Sequence, residues 1–412
     1  MGFLQNIFYP LSKLFGQNFW GRSNWIMGMQ GPVWVDTDKP GEVYYETPQV
    51  KLVFDRLFSM YSNMQVFKER KVKSKSGVLW EIVEDEPLRK LLDKPNFSQG
   101  FNEFMYKRIQ FKIIYGNLFT YKNVVAPILN TYPVSMRNIS PVFIQPILTG
   151  KFFDQTSMAG VVSEYQYRDR KGIERRFKQE EILWTRIPSL DDDLLGDSAL
   201  KGYKMPISNI NKAYEYLYAI SAKRGAIGAL TADTGKGEFG SVPVTEKERE
   251  RLYKKFHEIH GIGEDQASVI ISQAAMKWQA FGYPTRELML IEQIDKNTLV
   301  LIDSLRMNSN IFASAANAAT YENVRMGYVQ TYQDAVQPWA DLDMQDLGAF
   351  IGLKEDERLR ASYEHLDIMK EFKLKGMQSI KILVDTLTAS IAAFLMTKEE
   401  AMAILRTELG LR

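Results

Sequence analysis

The stretch Ile114-Tyr115-Gly116-Asn117-Leu118-Phe119-Thr120-Tyr121 joins two textures of sequence, and its reading decides the fold class. Upstream of it, Phe101, Phe104, Met105, Arg108, Ile109, Lys112 and Ile113 recur at the three- and four-residue spacing that one buried helix face requires. Ser98 stands where it can cap that helix. Gly116 stops it: glycine enters a left-handed backbone without a Cβ clash, and an asparagine at such a turn bonds its own chain. Downstream, Leu118-Phe-Thr-Tyr, Val142-Phe-Ile-Gln-Pro-Ile and Ser163-Glu-Tyr-Gln-Tyr-Arg read as strands, with Arg170-Lys-Gly-Ile as a hairpin turn. Glu181-Ile-Leu-Trp-Thr-Arg-Ile is a last strand before Pro188. A helical stretch followed by a β-rich module predicts an α+β protein.

Working outward, Val50, Val53, Phe54, Leu57, Phe58 and Tyr61 predict a helix from Pro48 to Asn63, and a strand pair is expected across 66–83. A short helix over 88–96 is closed by Pro95. Beyond Gly196 the chain is expected to be helical over 198–224, with Pro206 at a kink or a restart, and loop-like over 225–244. Thr245 caps a charged helix over 246–260, and strands are expected at 267–271 and 276–280. Long helices over 287–312 and 321–350 flank a run of small residues at 313–320. Residues 354–412 read as helical, with Thr397 and Glu400 forming a capping box before the last helix. Residues 1–45 are aromatic and glycine-rich without a sustained period and read as an N-terminal arm.

The 412 residues are 45% apolar, enough for a real core, and 52 Lys plus Arg face 50 Asp plus Glu. A chain that grips nucleic acid through phosphate neutralisation is clearly basic, so such a role cannot rest on bulk charge here. The absence of cysteine excludes disulfides, thiolate metal sites and cysteine nucleophiles. The most apolar late stretch, 380–396, contains Lys381 and Asp385 and is too short to span a membrane comfortably. Phe3, Leu4, Ile7, Phe8, Leu11, Leu14 and Phe15 lie at helical spacing, which suits a membrane-surface helix or, more simply, an arm docked on a neighbouring subunit. Asn6 breaks the myristoylation pattern. No membrane partner is expected.

Candidate chemistry fails residue by residue. Gly235-Lys-Gly-Glu-Phe-Gly240 has the letters of a dinucleotide fingerprint, but Ser241-Val-Pro243 follows where a helix should begin, so it reads as a loop. No phosphate-binding P-loop motif occurs. His257-Glu-Ile-His260 falls short of a zinc-protease pair and suits the negative end of a helix. Asp191-Asp-Asp193 reads as a solvated loop tip. No serine has a recognisable His and Asp beside it. No catalytic residue, metal site or cofactor is expected. The 20 Tyr, 23 Phe and 7 Trp are spread through the chain and suit a core and subunit interfaces.

Three ordered segments carry a resemblance. Glu86-Pro-Leu-Arg-Lys-Leu-Leu-Asp-Lys-Pro95-Asn96 precedes Gly116-Asn117 by about one helix. Glu181-Ile-Leu-Trp-Thr-Arg186 precedes Leu195-Gly196-Asp-Ser198-Ala-Leu. Thr320-Tyr321-Glu-Asn323 is followed by Pro338. This set, spanning roughly 45–350, resembles the portal proteins of tailed bacteriophages, which show Leu-x-x-Pro-Asn, Gly-Asn, a strand with isoleucine and histidine, Gly-x-Ser-Pro-Leu and Thr-Tyr-Ser-Asn in that order. Trp184 stands in place of the usual histidine and Ala199 in place of the usual proline. The family's Gly-Val-Pro is replaced by Phe312-Ala-Ser-Ala-Ala.

The resemblance implies a portal fold. Its parts would be an N-terminal arm (1–45), a β-rich wing (46–197), stem helices at 198–224 and 287–312, a small α/β clip (225–286), a channel loop with a long wing helix (313–352) and a helical C-terminal crown (353–412). It implies a ring of twelve copies at one capsid vertex, through which double-stranded DNA is packaged and ejected. The implied partners are the terminase packaging motor, the major capsid or scaffold protein and the neck adaptor proteins, in the virion and, during assembly, in the host cytoplasm. In that family a loop before the Thr-Tyr helix reaches the channel, which here singles out Asn308, Ser309, Asn310, Ser314 and Asn317, short uncharged residues that can slide past phosphates. A plain helix-to-helix linker is the competing reading of this stretch. Another ring-forming head–tail connector or minor head protein is the nearest alternative for the whole chain. A nucleic-acid-modifying enzyme is a further one, against which the missing metal and nucleotide motifs count.

Overall fold

The computed structural model describes residues 39–74, 77–125, 132–149, 158–190, 192–222, 228–232, 247, 250, 276–280, 289–312, 321–393 and 396–408. Helices α1 (Pro40–Glu46) and α2 (Pro48–Ser62) lead to strands β1 (Gln65–Ser74) and β2 (Gly77–Ile82). Helices α3 (Glu86–Asp93) and α4 (Phe101–Tyr115) precede β3 (Asn117–Asn123), β4 (Ser135–Ile139) and β5 (Ile144–Leu148). Strands β6 (Val162–Arg168), β7 (Glu174–Phe177) and β8 (Ile182–Arg186) complete the β-rich stretch. A 3-10 turn (Ala199–Tyr203), α5 (Lys204–Ala222), β9 (Gly228–Ala232), β10 (Met276–Ala280) and α6 (Leu290–Ser304) follow. After a second 3-10 turn (Ser309–Phe312) come α7 (Tyr321–Thr331), a π-helical turn (Tyr332–Val336), α8 (Gln337–Ile351), β11 (Glu357–Ser362), α9 (Asp367–Ala392) and α10 (Lys398–Glu408).

The α+β expectation holds: helices alternate with small antiparallel sheets, ordered β11-β1-β2, β10-β9, β4-β3-β8 and β5-β6-β7, and none closes into a barrel among the described residues. The chain divides into two compact units, one comprising 39–203 with 299–408 and the other lying within 204–298. In the first, all six apolar positions that predicted α2 are buried, and α2 packs against the buried Phe104, Met105, Ile109 and Ile113 side of α4. Phe119, Ile139, Ile144, Val162, Tyr165, Phe177 and Ile182 form the core between the sheets, with Trp184 stacked on Phe119. In the second, α5 buries Ile207, Ile210 and Ala213, and the amide of its Asn209 bonds Asn297 of α6.

Four sequence expectations are corrected. Ser98 does not cap α4; Gly100 is the cap residue, because the Asn96 side-chain oxygen takes both the amide and the hydroxyl of Ser98. The helix expected over 198–224 restarts at Lys204 after a 3-10 turn, and Pro206 sits in the first turn of α5, where its missing N–H costs nothing. The helix expected over 287–312 ends at Ser304. Arg306 takes a left-handed φ of 57°, and the amides of Arg306 and Met307 close on the Asp303 and Ile302 carbonyls in a Schellman motif. Residues 354–412 are not helical throughout, since β11 pairs with β1 from Gln65↔Ser362 to Arg70↔Glu357. Pro338 leaves the helix unbroken because the preceding turn widens to π, the Gln337 amide reaching the Tyr332 carbonyl. The Thr397–Glu400 capping box forms as expected.

Candidate functional site

Gly116 ends α4 with a φ of 72°, the left-handed conformation expected of it. Its neighbour Asn117 clamps a segment far along the chain. Asn117 Oδ1 accepts from the Gly196 amide at 2.9 Å, and Nδ2 donates to the Gly196 carbonyl at 2.8 Å and to the Tyr115 carbonyl at 3.2 Å. The approach demands glycine on both sides. A Cβ on Gly116 would lie 2.2 Å from the Asp197 carbonyl carbon, and one on Gly196 would lie 2.1 Å from the Gly116 oxygen. The Ile187 amide bonds that same oxygen at 2.8 Å, so β8 and the loop after it are laced to the end of α4. Trp184 donates its indole N–H to Asn117 Oδ1 at 3.1 Å, a donor that an imidazole at this position also offers. Ser198 Oγ accepts from the Leu200 amide and holds the first turn after the clamp.

Pro95 and Asn96 perform a similar task on the other side of α4. The buried Asn96 amide donates to Gln99 Oε1 at 2.9 Å and to the Met136 carbonyl at 3.1 Å, while the Pro95 carbonyl accepts from the Met136 amide at 2.7 Å. The loop before α4 is thereby fixed to β4.

Sequence reasoning placed Arg108 on a buried helix face but could not name its partner. Arg108 Nε and Nη2 grip the two oxygens of Asp343 in α8 at 2.9 and 2.6 Å, and Nη1 bonds Thr120 of β3 at 2.5 Å. Tyr61 donates to Asp343 Oδ2 at 2.6 Å. Burial alone would raise the Asp343 carboxyl; the Arg108 guanidinium outweighs it and holds the group at about 2. A second cluster joins β1, β11 and the loop before α3. Lys68 Nζ lies 2.9 Å from both Asp85 and Glu357, Tyr132 donates to Asp85 at 2.6 Å, and Arg70 reaches Glu357 at 2.6 Å. Burial would raise Glu357, but Arg70 and Lys68 bring it down to about 2. Only the alternation Glu357-Arg-Leu-Arg-Ala-Ser could have signalled this strand.

Of the residues expected at a channel, Asn308, Ser309 and Asn310 are half-buried at the junction between α6 and α7. Asn308 Nδ2 donates to Gln330 Oε1 at 2.8 Å, its Oδ1 accepts from the Asn310 amide at 2.9 Å, and its own amide bonds Thr331 Oγ1 at 3.0 Å. Tyr321 opens α7, and Asn323 is exposed two residues later. Ser314, Asn317 and Thr320 lie outside the described residues, as do the 235–240 glycines, Thr245, His257, His260, Asp191 and the strand expected at 267–271. Among the described residues no group of three or more metal-ligating side chains occurs, and no helix is long and apolar enough to cross a membrane.

Comparison with known proteins completes the picture. No curated protein matches the chain. Among solved structures, the neck of a native gene transfer agent particle computed with C12 symmetry superposes with a TM-score of 0.57 at 15% identity, covering 92% of this chain and 96% of that one. A chain from the virion of a native gene transfer agent particle superposes with a TM-score of 0.54 at 17% identity, covering 93% and 97%. At such identities the likeness concerns the fold. The family described as phage portal protein matches residues 67–390, a span that includes Asn96, Gly116, Asn117, Gly196 and the Arg108–Asp343 pair. The chain belongs to the phage portal protein family.

Proposed function

We propose that this portal protein forms a closed ring of twelve copies at one vertex of a capsid, the connector through which double-stranded DNA is packaged and ejected. The observation that carries the ring is the surface of α9. This helix has 26 residues, of which only Leu387 is buried, and Phe372, Leu374, Met377, Ile380, Ile382 and Val384 are between 39 and 66% exposed. A helix with so much apolar surface needs a covering neighbour, and a ring supplies it through contacts of one face against a different face. The fold likeness to a neck particle of C12 symmetry supports twelve as the number.

In this reading 46–197 is the wing, α5 and α6 belong to the stem, 225–286 is the clip and 353–412 the crown. Asn308, Ser309, Asn310, Ser314 and Asn317 face the channel, where uncharged side chains leave DNA free to slide. The terminase motor, the capsid or scaffold protein and the neck adaptors dock on the ring, which assembles in the host cytoplasm and ends in the virion. The protein itself performs no catalysis.

Light scattering and negative-stain microscopy of the purified protein test the proposal. A particle of about twelve times the 47.4 kDa chain mass, with a central channel as wide as duplex DNA, is expected. A stable folded monomer at micromolar concentration would overturn it.

A further inference from the structure

One end of the sheet β5-β6-β7 carries a surface that none of the foregoing uses. The hairpin joining β6 to β7 is held rigid by Asp169, whose Oδ1 accepts from the amides of Lys171 and Ile173 at 2.8 Å each, while Gly172 turns at a φ of 82°. Residues 168–178 hold six cations, Arg168, Arg170, Lys171, Arg175, Arg176 and Lys178, against two acids, Asp169 and Glu174.

The cations divide by sheet face. On the outer face Arg168 pairs with Glu174 at 3.8 Å and Arg176 with Glu164 at 3.4 Å. On the other side neither Arg170 nor Arg175 has a carboxylate partner among the described residues. Both guanidinium groups lie on aromatic rings instead. Arg175 sits 4.8 Å from the Phe177 ring centre and 5.4 Å from that of Tyr121, and Arg170 sits 5.8 Å from that of Phe143. Arg175 also donates from Nη2 to the Tyr121 hydroxyl at 3.4 Å, and these contacts hold the guanidinium in place while its remaining N–H groups can meet an anion with two oxygens. The register Ile144↔Tyr167 brings Val142, 63% exposed, to the same sheet end as Ile173, 62% exposed. Apolar side chains among cations that have no carboxylate partner among the described residues match a polypeptide better than a phosphate backbone, because interfaces bury apolar residues in the middle and match charge at the rim.

We infer that this sheet end is a docking surface for an acidic, apolar-containing segment of another protein, with Arg170 and Arg175 gripping carboxylates and Val142 and Ile173 taking the apolar residue. This assignment does not depend on the ring.

The test measures binding of two fluorescent probes to the full-length protein at low salt: a twelve-residue peptide of Asp and Glu with one central Leu, and a duplex DNA of similar charge. The peptide is expected to bind. Arg170→Gln with Arg175→Gln should weaken it at least about tenfold, and Arg168→Gln, which removes an already paired cation, should change it by less than about twofold. Arg175→Lys keeps the charge but loses the flat fork, and should fall between these two. Circular dichroism of each variant verifies that the sheet is intact; should the double Gln variant unfold, Arg175→Lys and Ile173→Ser carry the test, each expected to weaken the peptide by more than about twofold and less than about tenfold. Binding of DNA but not of the peptide would overturn the inference in favour of a nucleic-acid surface. Equal peptide binding by wild type and the Arg170/Arg175 variants, or no binding of either probe, would overturn it outright.

Discussion

Asn117 grips Gly196 through both polar groups of that residue, its Oδ1 on the amide at 2.9 Å and its Nδ2 on the carbonyl at 2.8 Å. The two positions are 79 residues apart, and the clamp closes only because each flanking glycine lets the opposite backbone come near. Gly196→Ala should therefore destabilise the protein by about 3 kcal/mol, since the new methyl meets a carbonyl oxygen and not a flexible side chain. Gly116→Ala should cost at least as much, as it adds a left-handed backbone to the same collision. Thermal melting of the two variants checks this, and an unchanged midpoint for either would mean that the clamp yields without cost.

Trp184 supplies the fourth hydrogen bond of the Asn117 side chain. Trp184→Phe keeps a ring on Phe119 but deprives Asn117 Oδ1 of one donor, and should cost about 1–2 kcal/mol. Trp184→His restores a donor and should be the milder change in hydrogen bonding, although it gives up ring area against Phe119 and Tyr165. Comparing the chemical denaturation midpoints of the two variants separates donor loss from packing loss. A Phe variant as stable as wild type would show that the indole acts by packing alone.

How much of this was legible in the sequence varies with distance along the chain. Gly116 could be read as a left-handed helix end, because that need is local. The partner of Asn117 could not, because nothing near it names Gly196. The same holds for Arg108, visible as a cation on an apolar helix face, whose counterion lies 235 residues away. Strand β11 was hidden for a different reason. Glu, Arg, Leu and Ala are good helix formers, and the preference is overridden only by pairing with β1 and by the ion pairs of Glu69 with Arg358 and Arg360. Ser98 failed as a cap because Asn96 offers it a nearer acceptor. The channel stretch was read by analogy, and its composition of small polar residues suits a linker equally well.

Acid should unfold the first unit through two carboxylates. Asp343 and Glu357 sit at about 2 in the folded protein, below their ordinary values of 3.8 and 4.5. Because the folded values are depressed, their stabilisation is full above about pH 4.5 and is lost as pH falls towards about 2. Each group contributes about 2–3 kcal/mol at neutral pH. Stability should thus be flat from pH 7 to about 5 and then fall with a slope of up to two protons. Asp343→Asn should remove one of them while costing about 3–5 kcal/mol at pH 7, since Arg108 is left buried and unpaired. Arg108→Met with Asp343→Leu should cost less than Asp343→Asn alone. A single variant no worse than the double would show that the pair is not what holds α4 to α8.

The channel assignment is tested by adding charge at two of the proposed channel positions. Asn308 is occupied: it caps the 3-10 turn and bonds Gln330, so Asn308→Ala should cost about 1 kcal/mol and says nothing about DNA. Asn310 gives its backbone amide to that turn, so its side chain can be exchanged without breaking that bond; Asn317 lies outside the described residues. Replacing both with arginine adds two fixed positive charges to each copy. If they line the channel, each charge displaces counterions from a passing phosphate and grips it, and the grip strengthens as salt falls. Rings should then assemble normally, while DNA packaging slows, and slows more at low ionic strength. Packaging at the wild-type rate by intact rings would place the stretch away from the DNA path. Failure of the variant to form rings would instead make it part of the contact between neighbouring copies, where two unpaired charges per interface are not accommodated.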